Sequence, residues 1–100
     1  MTVYRVMLKA EGLRVTLDGS ETPCGFYKTE FVWARRPAQA IHRARANVAV
    51  ALRRNPAVNQ ADLAGLALGV DEIEAGQGLG NLVRRQGFAF YRLAARPLGG

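Results

Sequence analysis

One hundred residues leave room for one domain and exclude two independent ones. Of the 49% apolar residues, 16 are Ala, so only 33 larger apolar side chains are left to fill a core; no run approaches the roughly 20 apolar residues of a membrane span. The net charge of +6 is segmented, with six Arg and no acid at 35–54, four acids and no base at 55–83, and four Arg at 84–100, which suits pairing within the fold as readily as an external partner.

Residues 3–10 alternate as a strand, with Tyr4, Val6, Leu8 and Ala10 on one face and Arg5, Met7 and Lys9 on the other. Arg5 and Lys9 also interrupt the apolar stretch that a signal peptide needs unbroken, so a soluble, cytoplasmic chain is expected. Residues 13–17 either extend this strand or form a second short one, and residues 18–23 read as a turn-rich loop. The lone Cys24 excludes an internal disulfide, and with the lone His42 it argues against structural zinc; no metal site and no cofactor is expected. Residues 26–35 form the clearest strand, dense in β-branched and aromatic residues.

Arg36-Pro37 then opens a helix over residues 37–54. Ile41, Ala44, Val48 and Leu52, with Ala51, make its apolar stripe; His42, Arg43, Asn47, Arg53 and Arg54 lie off it, and Ala46 and Val50 face the far side. Asn55-Pro56 stops it. A helical turn near residues 60–63 is one option for the following loop. Residues 66–74 read as a strand, Gly76, Gly78 and Gly80 as a connection, residues 79–85 as a short helix or a loop, and residues 87–93 as the last strand. The expectation is an α+β domain over residues 1–95 with a frayed tail at 96–100. Its mostly antiparallel sheet of four or five strands carries one main helix on one face, in the chain order β(β)βαββ.

A sheet with one helix has a second face. Alternation in residues 26–34 separates Phe26, Lys28, Glu30, Val32 and Ala34 from Tyr27, Thr29, Phe31 and Trp33. If Val32 and Ala34 pack under the helix, Tyr27, Phe31 and Trp33 point the other way with Met7, more aromatic surface than a soluble monomer normally exposes. If the aromatic set is the core, Lys28 and Glu30 form an ordinary charged pair on a wet surface. Both registers are open.

Gly87-Phe88-Ala89-Phe90, preceded by Arg84-Arg85-Gln86, resembles the first ribonucleoprotein signature of RNA recognition motif domains, and Val3-Tyr4 with Leu8 echoes the second. The resemblance implies aromatic rings displayed on the sheet for stacking on bases. Gln86 stands where the signature has a basic residue. A broader stretch, Gly25-Phe26-Tyr27-Lys28-Thr29 running to Val32-Trp33-Ala34 and into Pro37-Ala38-Gln39-Ala40, resembles small bacterial α/β proteins of unassigned function. Less closely, it is similar to partial antitoxin domains of HicB type. This likeness implies the fold and no activity.

Catalysis finds little support. Cys24 and His42 could pair as nucleophile and base with Glu30 or Asp18 orienting the His, but their spacing does not demand it. The only serine, Ser20, sits in no nucleophile elbow. Gly76-Gln77-Gly78-Leu79-Gly80-Asn81 has Asn81 at the third glycine position of a dinucleotide fingerprint, and no carboxylate follows Glu74 to hold a ribose. Alternation places Asp71 opposite Glu72 and Glu74, a solvated strand end or an acidic edge for the Arg-rich helix rather than a cation site.

The expected function is therefore a non-enzymatic interaction or regulatory module that self-associates, as a dimer, through an open sheet face or edge at Tyr27, Phe31 and Trp33. The alternative is a small RNA- or single-stranded-DNA-binding domain. It would use Arg35, Arg36, Arg43, Arg53, Arg54, Arg84 and Arg85 for phosphates and Phe88 and Phe90 for stacking. Twelve of the 14 bases are Arg beside 16 Ala, the usage of a GC-rich genome, so the basic charge alone does not assign this role.

Overall fold

Two long strands, β1 (Thr2–Leu17) and β2 (Ser20–Ala34), form an antiparallel hairpin that is the frame of the molecule. The computed structural model describes residues 1–76 and 87–93. Asp18 and Gly19 are the hairpin turn, both with positive φ (50° and 79°), so Leu17 pairs directly with Ser20. This is the two-residue connection that Asp-Gly favours. The turn-rich loop expected at 18–23 is thus only two residues long, because the strand resumes at Ser20 and runs through Pro23. Leu93 N–H donates to the Pro23 carbonyl, so Pro23 directs its backbone away from β1 and its missing N–H takes nothing from that ladder.

β1 changes parity once. Val6, Leu8 and Ala10 are buried at even positions, Leu13 and Val15 at odd ones, and the register shifts between Glu11 and Leu13. Gly12, at φ 95°, is the extra residue; the bulge keeps both halves of one continuous strand facing the same core.

The helix α1 (Pro37–Arg54) follows the end of β2 directly and lies on the face presented by Phe26, Val32 and Ala34. Its buried line is Ala40, Ala44, Val48 and Leu52. Ala44, Val48 and Leu52 are thus buried as the periodicity suggested, with Ala40 taking the first position of the stripe, while Ile41 and Ala51 are only partly buried. Alanines at 40 and 44 let the backbone approach the sheet closely beside Ala34, while Val48 and Leu52 fill the other end. Full burial of Phe26, Leu8, Leu13 and Leu52 contributes about 1.5–3 kcal/mol each. At the helix end Asn55 N–H returns to the Leu52 carbonyl, and the Gln60 amide donates to the carbonyls of Leu52, Asn55 and Val58. Groups that a helix terminus would leave without partners are satisfied in this way.

A 3-10 turn at Gln60–Asp62, near the position expected, leads to β3 (Gly69–Ala75), which pairs antiparallel with β1; β4 (Ala89–Arg92) pairs antiparallel with β2. The order across the sheet is β3-β1-β2-β4. The later chain supplies both outer strands, and the hairpin holds the centre. Residues 57–59 cover the rest of the β1 edge, through Thr16 N–H to the Ala57 carbonyl and Asn59 N–H to the Arg14 carbonyl. No helix among the described residues is long and apolar enough to cross a membrane. The expected element at 79–85, the glycines Gly78 and Gly80, Arg84, Arg85 and the tail at 96–100 lie outside the described residues.

Candidate interaction surface

Of the two registers left open for residues 26–34, the structure adopts the one that puts Phe26, Val32 and Ala34 against the core, at 0%, 6% and 0% exposure. Tyr27, Thr29, Phe31 and Trp33 therefore point to the face opposite α1. Cross-strand pairing lays this face out in rows: Val3 beside Trp33, Glu74 beside Arg5 beside Phe31, Glu72 beside Met7 beside Thr29, and Lys9 beside Tyr27 beside Ala89. Trp33 is 57% exposed, while Phe31 and Tyr27 are half-buried by their neighbours.

The charged residues of this face are compensated within it. Arg5 reaches Glu72 and Glu74 at 3.1 and 3.2 Å, and these two hydrogen bonds hold its guanidinium above its usual range. Glu72 and Glu74, 56% and 59% exposed, thus form the solvated acidic strand that was one of the two readings, and within this chain they pair with β1 and not with the Arg-rich helix. Asp71 is the residue displaced where the β1–β3 register shifts between Met7 and Leu8. Lys9 lies 5.4 Å from the Tyr27 ring and 3.7 Å from Glu11.

Tyr91 closes the far end of the face. Its ring sits 5.5 Å from Tyr27 and its hydroxyl donates to Glu11 at 3.0 Å. Partial desolvation, followed by that bond, raises its pKa. Gly25 makes the position possible, because a Cβ there would lie 2.4 Å from Tyr91 Cζ.

The nucleic-acid candidates divide into separate groups. Phe88 and Phe90 point to the helix side, stacked on each other at 5.4 Å and edge-on to Phe26 at 5.1 and 5.9 Å. The placement implied by the ribonucleoprotein resemblance, rings displayed on the open face, is thus not met by these two residues. Arg35, Arg36 and Arg43 gather at the start of α1, where Arg43 donates to the Trp33 carbonyl. Arg53 and Arg54 lie at the other end of a helix about 27 Å long. Cys24 is fully buried in β2 opposite Leu13, whereas the exposed His42 borders the groove between α1 and the 31–33 stretch of β2, about 23 Å further along the strand. The two are not brought together.

The pairing of Lys28 with Glu30 is present, but in a different setting from the one expected. Lys28, 8% exposed, lies on the helix side, 3.3 Å from Glu30 and 5.9 Å from the Phe88 ring, and donates to the Thr29 carbonyl. It is not the wet surface pair of the unrealised register. Two charges at i and i+2 on a strand that otherwise faces the core were the available signal.

No protein-family model, curated protein or solved structure matches this chain.

Proposed function

We propose that the protein is a non-enzymatic interaction module that pairs with a second copy of itself through the open face of its sheet. The observation that carries this reading is Trp33, 57% exposed, on the same face of β2 as Phe31 and Tyr27, a face that no described helix covers. Charge favours a second copy as the occupant. A molecule of net charge +6 repels itself through most surfaces, but this face sets Arg5 and Lys9 against Glu11, Glu72 and Glu74. Strands of 15 and 16 residues run about 50 Å, which gives the face an area on the scale of the roughly 800 Å² per partner that a stable dimer buries.

Light scattering across protein concentration, at low and high salt, tests this. A dimer that persists in high salt is expected, and Trp33→Ala should weaken it about 30-fold, as loss of an aromatic anchor does. A monomer at every concentration, or a Trp33→Ala protein that stays folded with unchanged mass, overturns the reading.

Binding of RNA or single-stranded DNA is a second reading, favoured by one observation: none of Arg35, Arg36, Arg43, Arg45, Arg53 and Arg54 makes a salt bridge with a carboxylate side chain. With Phe88 and Phe90 spent on Phe26, this reading reduces to contacts with phosphate.

A further inference from the structure

Where β2 ends and α1 begins, Met1, Arg35, Arg36, Gln39 and Arg43 line an open cavity of about 550 Å³. Three guanidinium groups border it and, among the described residues, no carboxylate does. All eight Asp and Glu residues of the chain lie among the described residues, and seven of them are engaged elsewhere. Glu72 and Glu74 hold Arg5, Glu11 holds Lys9, Glu21 and Asp62 hold Arg14, Glu30 holds Lys28, and Asp18 holds Arg92. The eighth, Asp71, is on β3. The chain thus has no carboxylate side chain of its own to neutralise this cluster.

The backbone of the junction and one of the three guanidinium groups are held in place. Arg35 N–H donates to Gln39 Oε1 at 2.8 Å, closing the first turn across the cavity wall. The Arg43 guanidinium is fixed at one nitrogen on the Trp33 carbonyl, leaving its other donors for a ligand. Arg36 and Arg35 are exposed and extend from the junction. The helix end adds its dipole, with no acid in the first turn and no side-chain cap, but the guanidinium groups supply the recognition, since their forked donors match phosphate oxygens.

We infer that this cavity binds a phosphate group presented by a ligand from outside the chain, either a small phosphorylated molecule or the backbone of a single-stranded nucleic acid. The site is distinct from the open sheet face, and its failure leaves the self-association reading untouched. Calorimetric titration of the full chain with pyrophosphate, and separately with a short single-stranded oligothymidylate, tests it. Saturable binding is expected, weakened about tenfold or more in an Arg35→Gln/Arg36→Gln variant, while Arg53→Gln/Arg54→Gln at the far end of α1 leaves pyrophosphate binding nearly unchanged. Saturation by pyrophosphate identifies a small phosphorylated ligand. Saturation by the oligonucleotide alone, with affinity falling steeply with salt, identifies a polynucleotide. Absence of saturation with both, an Arg35→Gln/Arg36→Gln variant that binds as tightly as the native chain, or equal weakening of pyrophosphate binding by the two double variants overturns the inference.

Discussion

Lys28 and Glu30 show how one residue's environment sets the sign of a mutation. Their side chains are 9% and 19% exposed, so each depends on the other more than a surface pair would. Glu30→Ala is expected to cost about 2–4 kcal/mol, because it strands a charge beneath the helix side of the sheet. Lys28→Met/Glu30→Leu removes both charges and should recover most of that loss; a double-mutant cycle by chemical denaturation measures the coupling, and an additive result would refute it. Asp62 gives the pH dependence. It accepts from Arg14 N–H, Nε and Nη2 at 2.9–3.0 Å, and the Arg14 side-chain bonds hold its carboxyl below its usual range. A depressed carboxyl pKa stabilises the fold above the unfolded-state value, and that stabilisation disappears as pH falls through the folded-state value. The Tm difference between the native chain and Asp62→Asn should thus be present at neutral pH and close below about pH 4. A pH-independent difference would place the effect of the substitution in packing instead.

At the scale of elements, β1 depends on one glycine. A Cβ at Gly12 would meet nothing within 4 Å, yet its φ is 95°, a conformation that costs other residues about 1–3 kcal/mol. Gly12→Ala should therefore lower stability by about that amount with an unchanged denaturant m-value, since the cost is conformational and no contact is lost. An unaffected midpoint would show that the bulge relaxes freely. The same residue marks where sequence reading stopped short. Tyr4, Val6, Leu8 and Ala10 alternate at even positions and Leu13, Val15 and Leu17 at odd ones, so a parity switch across a glycine was visible, but it reads equally as a break between two strands. The helix was legible because Pro37, Asn55-Pro56 and a four-residue apolar spacing agree. The register of β2 was not, because the face that became core contains Lys28 and Glu30 while the outer face carries three aromatics. Size decides it: Ala40 and Ala44 on the helix need small partners such as Ala34, and Trp33 could not occupy that gap. The loop at 18–23 was read too long because Ser20 and Pro23 extend the turn signal of Asp18-Gly19, and only strand pairing reveals residues 20–23 as ladder.

For the molecule as a whole, the sheet absorbs nearly all of the acidic charge and α1 carries arginines without carboxylate partners, so the protein has a nearly neutral face and a positive one. This separation makes the proposed self-association and phosphate binding compatible, each on the surface whose charge suits it. It was foreseeable only in part, since segment charges showed the basic helix but not that β3 would spend its acids on Arg5. The order β3-β1-β2-β4 has a further meaning in time. The central hairpin and its helix are complete by Arg54, so on the ribosome this unit leaves the exit tunnel before either outer strand does. During that interval both long edges of the hairpin are exposed to any neighbouring nascent chain, and the slow arrival of β3 and β4 ends the exposure.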